Sequence, residues 1–231
     1  MKYEIDNNIA TLTFDDGKAN VVGVTFLEEI NACLDRAEEE QVAAVILRGR
    51  EGMFSAGFDL KEFEKGVEEG LSMVRQGFEL LIRLYSFPLP LVAACTGHGI
   101  AMGAFMMMSC DMRIATRGDF KMSLPETRIS MDLPPILLEL TRSRISRRHM
   151  TRVALLSEVY NPEQAIDAGF VDEVVDASEL TARSMAVAAE LAQLPQQQFA
   201  ANKLAIRGNS LQVMKDYLAN NGRGSPRVST S

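Results

Sequence analysis

The chain has no tryptophan, and aromatic residues make up only 6% of its 231 positions. Its two histidines, His98 and His149, do not stand in an HExxH pattern, so a helix-borne zinc site of that kind is not indicated. Cysteine is nearly as scarce. Cys33, Cys95 and Cys110 sit in apolar surroundings without CxxC pairing. That leaves neither a disulfide framework nor a metal site, and predicts a reducing, cytoplasmic setting. No stretch approaches the roughly 20 apolar residues that a membrane span needs. The opening MKYEIDNNIATLTF lacks the charged-then-apolar order of a signal peptide. Positive charge is also short: 24 Lys and Arg against 31 Asp and Glu give −7 and a pI near 5.0. A nucleic-acid partner, whose phosphates must be neutralised, is therefore disfavoured.

What is present is an ordinary globular composition, 47% hydrophobic and 24% charged, in a chain long enough to bury a substantial core. Residues 2–14 read as two short strands turning at Asn7–Asn8. Helical spacing of Phe26, Ile30, Cys33, Leu34 and Ala37 predicts a helix over 25–40, and VAAVIL at 42–47 a buried strand. A glycine-punctuated loop at 51–64 leads to a long amphipathic helix over 68–85, closed by Pro88 and Pro90. LPLVAAC at 89–95 is a second buried strand, followed by a glycine turn, a buried helix and a strand at 112–115. FKMSLPE at 120–126 adds a short strand and a proline turn.

Beyond Pro134–Pro135 the chain reads helical over 135–141, 144–156, 162–168, 178–193 and 198–219, with one strand at 170–175. Alternating strands and helices followed by helices indicate an α/β fold. The expected division is a core at 1–134, a helical region at 135–221 and a disordered polar tail at 222–231.

The centre of the pattern is Gly97–Asp111, GHGIAMGAFMMMSCD, where a strand passes through a glycine turn into a helix start. Such a place leaves several N–H groups pointing one way and favours negative charge. Gly97, Gly99 and Gly103 approximate a dinucleotide fingerprint, but Met102 stands where its third glycine is needed, and Asp119 sits in a turn-like GDF. Ser55 reads G-x-x-S-x-G, not the G-x-S-x-G of a nucleophile elbow. His149 and the arginines at 142, 144, 147, 148 and 152 read most simply as a solvated helix face, with phosphate binding as the sharper alternative. Glu126 follows Leu-Pro in an apolar stretch, where burial would raise its pKa and make it a better base near neutrality. Taken alone, it reads more simply as a surface glutamate.

Three ordered motifs change that weighting. FSAGFDLKEF at 54–63 resembles the FxAGxDLxE signature of the enoyl-CoA hydratase/isomerase (crotonase) superfamily. GHGIAMGAFMMMSCDMRIA at 97–115 resembles its G-x-x-x-G-G-G loop, helix and CD-x-R-I-A ending. LPETRISM at 124–131 resembles its LPE-x-x-L-G segment; GKAN at 17–20 and AIDAGFVDEVV at 165–175 fit as well, so the resemblance spans about 1–208.

The resemblance implies a spiral core of ββα units with a helical C-terminal region, acting on acyl-CoA thioesters. It implies an oxyanion hole made by the backbone amides of Phe58 and Met102, and an acid/base at Glu126. It places CoA around Ala56, Gly57, Phe58, Asp59 and Leu60, with Lys18 and Ala19 near the pantetheine or diphosphate. No metal and no separate cofactor are implied, since CoA is part of the substrate. A homotrimer, often paired as a hexamer, is the family's assembly.

One departure is informative. Hydratases of the family carry a second glutamate two residues beyond the glycine triplet, where this chain has Phe105; the triplet itself is Ala101-Met102-Gly103. The same resemblance therefore points to the single-glutamate Δ3,Δ2-enoyl-CoA isomerases. A hydratase using Glu126 alone or with Asp132, and a non-catalytic acyl-CoA binder, are the alternatives.

Overall fold

The structure, a computed structural model, describes residues 1–221. The polar ending, expected to be disordered, lies outside the described residues. Strands β1 (Lys2–Asp6) and β2 (Ile9–Thr13) form the expected hairpin, with Asn7 and Asn8 at φ 50° and 62°. Asparagine tolerates that left-handed conformation better than most residues. Helix α1 (Val24–Glu39) then buries Leu27, Ile30, Leu34 and Ala37.

The chain next makes three successive turns of the same kind. In the first, β3 (Ala44–Arg48) and β4 (Gly52–Ser55) lead into α2 (Leu60–Lys65) and α3 (Val67–Ser86). In the second, β5 (Leu91–Cys95) and β6 (Gly97–Ile100) lead into α4 (Met102–Ser109). In the third, β7 (Met112–Thr116) and β8 (Met122–Ser123) lead into a 3₁₀ turn, Glu126–Ile129. The first strand of each unit joins one sheet and the second strand joins another.

After α5 (Pro135–Arg144) come a single π-helical turn (Thr151–Leu155), α6 (Pro162–Ala168), β9 (Glu173–Val175), α7 (Leu180–Ala192) and α8 (Gln196–Asn221). The large sheet has the order β1-β2-β3-β5-β7-β9 and the small one β4-β6-β8. Apart from the β1–β2 hairpin, the pairings between these strands are parallel.

Burial on both faces explains why the central strands are continuous apolar runs. Ile46, Val92, Ala94 and Ile114 pack under α7 through Leu180, Val187 and Ala188. Their alternates Val45, Leu47, Ala93, Cys95 and Ala115 face the main core with α1, α3 and α4. The C-terminal stretch is thus built into the sheet, through β9 at its edge and α7 on its face.

Three expectations are corrected. Gly97–Ile100 is a paired strand, not a turn; the turn is confined to Thr96 and Ala101 on either side of it. Residues 144–156 are not one helix. The chain breaks at Ile145–Ser146, where the Ser146 amide donates to the Ala168 carbonyl (2.9 Å) at the end of α6. Nor are the arginines a uniform solvated face. Arg144 turns inward, donating from Nε to the Met108 carbonyl (2.8 Å) and from Nη2 to that of Cys110 (2.6 Å). A cation there satisfies orphan carbonyls and opposes the negative end of the α4 dipole. Arg142, Arg148 and Arg152 pair at the surface with Glu139, Asp167 and Glu158.

Candidate active site

Helix α4 is apolar all round and its eight residues are all buried, as a helix with no polar face must be. Its start is set by a tight approach: a Cβ on Gly103 would lie 2.3 Å from the Ser55 carbonyl oxygen, so only glycine lets α4 rest on β4. The preceding residue, Ala101, has φ 51° and ψ −127°, a conformation glycine adopts without strain and alanine does not. Its amide is held by the Ser123 carbonyl (3.1 Å) and its carbonyl by the Phe105 amide (3.1 Å). Met102, the first helical residue, has no acceptor for its N–H within the helix.

A second unpaired donor lies nearby. Phe58 forms a parallel bridge with Val22 through the Val22 amide to the Gly57 carbonyl (2.8 Å) and the Asp59 amide to the Val22 carbonyl (3.1 Å). In that geometry the Phe58 N–H points to the other side. A Cβ on Gly57, at φ 109°, would be 3.6 Å from the Met102 nitrogen, so the two segments run side by side. Neither the Phe58 nor the Met102 amide donates to an acceptor among the described residues.

Both segments border a cavity of about 900 Å³, whose lining includes Ala56, Phe58, Asp59, Leu60, Met102, Phe105 and Glu126. Glu126 opens the 3₁₀ turn after Leu124-Pro125 and is only 5% exposed. Its Oε2 has no hydrogen-bond partner among the described residues. Burial raises its carboxyl to about 7, opposed in small part by its own backbone N–H. A carboxyl with that pKa can both take and return a proton near neutrality. The reading of Glu126 as a surface residue is thereby set aside. Phe105, one helical turn into α4, is fully buried and presents a ring to the same cavity.

Four of the seven expected CoA-contact positions line the cavity: Ala56, Phe58, Asp59 and Leu60. Gly57, Lys18 and Ala19 are not among the lining residues. Ala19 lies directly behind Ala56, whose amide it accepts (3.0 Å), and the Lys18 carbonyl accepts from Arg50 Nε (2.7 Å). Asp59 also accepts the Lys61 amide (3.0 Å), capping α2. Asp132, exposed, contributes a third carboxylate to the lining, beside those of Asp59 and Glu126. No group of three or more His, Cys, Asp or Glu among the described residues is arranged to hold a metal.

Residues missed at the sequence level come from α3 and α8. Leu71, Val74, Arg75 and Phe78 of α3 and Tyr217 and Leu218 of α8 line the cavity, and Lys203 and Arg207 fasten α8. Lys203 Nζ donates to Asp111 (2.7 Å) and to the carbonyls of Phe87 (2.8 Å) and Leu89 (3.0 Å). Arg207 donates to the other Asp111 oxygen (2.8 Å) and to the Tyr85 carbonyl (2.8 Å). The available signal was two cations four apart on a helix beside an Asp at the end of α4, and it named no partner.

Sequence comparison matches the model of a family described as enoyl-CoA hydratase/isomerase to residues 4–222. A "probable enoyl-CoA hydratase" of Bacillus subtilis is 33% identical over 197 residues, covering 82% of this chain and 74% of that protein. A crystal structure of an enoyl-CoA hydratase/isomerase family protein from Pseudomonas syringae superimposes with a TM-score of 0.92 at 35% identity, covering 96% of each chain. Human mitochondrial Δ3,Δ2-enoyl-CoA isomerase does so with a TM-score of 0.88 at 25% identity, covering 94% of this chain and 90% of that one. Relatives named for either activity thus share the fold of this site, and the chain belongs to the enoyl-CoA hydratase/isomerase family.

Proposed function

We propose that this protein is a Δ3,Δ2-enoyl-CoA isomerase with Glu126 as its only acid/base. The observation that carries the reading is the pairing of one buried carboxyl, raised to about 7, with Phe105 on the same cavity. Hydration requires a group to orient water and another to move a proton, and a phenyl ring offers water no hydrogen bond of useful strength. Shifting a double bond requires only one base and a place for negative charge. Glu126 removes a proton from C2 of a 3-enoyl thioester, electrons flow toward the carbonyl, and the resulting enolate oxygen is met by the amides of Phe58 and Met102. The protonated Glu126 then delivers its proton to C4, so the double bond moves to C2–C3 and the carboxylate is regenerated. Each amide is worth on the order of 3 kcal/mol of transition-state stabilisation, by comparison with other oxyanion holes.

In this reading CoA arrives as part of the substrate and no further cofactor is used. The segment from Ala56 to Leu60, with Gly57 as its turn and Lys18–Ala19 behind it, holds the nucleotide and pantetheine. Assembly into trimers belongs to the same reading and is checked by mass measurement in solution.

A hydratase is the second reading, supported by Asp132 on the cavity lining and by the name of the B. subtilis relative. A panel of 2-enoyl- and 3-enoyl-CoAs of increasing chain length separates the two. The isomerase reading expects turnover of the 3-enoyl thioesters and little loss of the 2-enoyl chromophore in water. Rapid hydration of 2-enoyl-CoA with no isomerisation would overturn it.

A further inference from the structure

Helix α3 carries two glycines, Gly70 and Gly77, seven residues apart and so on nearly the same face. Interior glycine weakens a helix by about 0.5–1 kcal/mol relative to alanine, so each calls for a reason. The reason is an aromatic ring in each notch. A Cβ on Gly70 would lie 2.6 Å from Cδ1 of Phe63, and one on Gly77 would lie 2.5 Å from Cε1 and 2.6 Å from Cζ of Phe58. The second notch matters more, because Phe58 carries one of the two unpaired amides. The same absent Cβ would lie 3.3 Å from the Met102 Cε, whose residue carries the other. The neighbouring Phe78 packs edge-to-face on Tyr217 of α8, with centroids 6.4 Å apart, so the helix that bears the notch is also packed against α8.

We infer that Gly77 is a positioning residue for the oxyanion hole: its missing side chain seats the Phe58 ring, and the seated ring aims the Phe58 N–H. This inference rests on the enolate chemistry proposed above. A methyl at 77 would overlap the outer ring atoms of Phe58, so the ring must turn toward the cavity it lines, and the Phe58 N–H loses its aim to the extent that the loop follows. A displacement of about 1 Å at a reacting group can cost on the order of a hundredfold in rate.

The test is spectroscopic and does not depend on turnover. Acetoacetyl-CoA, a β-ketothioester, shows a near-ultraviolet enolate band when a binding site stabilises its enolate. The band per bound ligand is measured at one pH for the wild type, Gly77→Ala, Phe58→Leu and the double variant, with thermal midpoints alongside. Leucine lacks the outer ring atoms that the new methyl would meet. We expect Gly77→Ala to lose at least tenfold in bound enolate with no loss of thermal midpoint, and the same change in the Phe58→Leu background to cost less than about threefold.

An unchanged band in Gly77→Ala, or an equal loss in both backgrounds, would overturn the role of Gly77 while leaving the enolate reading intact. A Gly77→Ala protein that does not fold would make the notch a folding requirement and overturn it too. A wild type that binds the ketothioester with no enolate band would remove the oxyanion hole itself, and both proposals with it. A wild type with the band but no isomerase activity would instead sink the isomerase reading alone.

Discussion

Glu126 holds two properties in tension. Burial that makes it a competent base near neutrality also makes its ionised form costly to the fold. A carboxyl raised from an ordinary 4.5 to about 7 favours the folded protein when protonated. That contribution is fully present below about 4.5, and it is lost as pH rises toward and through 7. Glu126→Gln should therefore leave stability near pH 4.5 unchanged and raise it above pH 7, by an amount on the order of 3 kcal/mol. Denaturant unfolding at the two pH values checks this, and equal stabilities at pH 8 would count against the burial account. In the proposed isomerisation the dependence runs the other way, since the base must be ionised. The kcat/KM for 3-enoyl-CoA should rise with pH through about 7 to a plateau. A single carboxyl predicts no falling limb below the alkaline range, whereas a bell-shaped profile would indicate a second essential acid.

At the scale of elements, the site is the meeting of two backbone turns, and helix α4 is what brings them together. Its contact with β4 leaves no room for a side chain at 103: the added Cβ would meet Ser55 backbone atoms at 2.3 Å, which cannot swing away as a flexible side chain can. Gly103→Ala should separate α4 from β4, lowering stability by about 1–3 kcal/mol and activity by more than the stability loss explains. Thermal unfolding and kcat measured together check this; a stable, fully active variant would contradict it.

The same elements show what was legible in the chain. Strands β3 and β5 announce themselves because both faces are buried and, Arg48 at the end of β3 apart, every position is apolar. Strands β4 and β6 do not: GMFS and GHGI are four residues long and hold position by backbone approach, leaving no alternation to read, whereas β8 falls within the short strand expected in FKMSLPE. The repeating strand–strand–helix unit was for that reason implied by the family resemblance and not by periodicity. The helix expected over 144–156 failed because the backbone extends at Ile145 and the Ser146 amide is taken by the Ala168 carbonyl at the end of α6, a tertiary demand that local spacing does not encode.

At the scale of the whole molecule, α8 closes the cavity that the first half of the chain opens, and Asp111 is the clasp. Its carboxylate accepts the Leu91 amide (2.8 Å) at the start of β5 as well as Lys203 and Arg207 of α8, both less than 10% exposed. One anion thus ties the sheet, the end of α4 and the last helix. Removing it leaves two buried cations without a carboxylate, a kind of change that costs about 3–5 kcal/mol. Asp111→Asn should lower the unfolding free energy by about that much and loosen the wall formed by Tyr217 and Leu218. Equilibrium unfolding checks the first part, and a variant within 1 kcal/mol of wild type would contradict the clasp. The motifs named the family and the acid/base candidate; this long-range closure, spanning 92 and 96 residues of sequence, had no local signature.

In the proposed reaction one carboxyl, Glu126, does all the proton transfer. The most direct measurement is the rate of 3-enoyl-CoA to 2-enoyl-CoA conversion by the wild type and by Glu126→Gln, a substitution that keeps size and removes the base. A loss of about 10³-fold or more in kcat, with thioester affinity retained, is the predicted result. Glu126→Gln that isomerises 3-enoyl-CoA at the wild-type rate would contradict it.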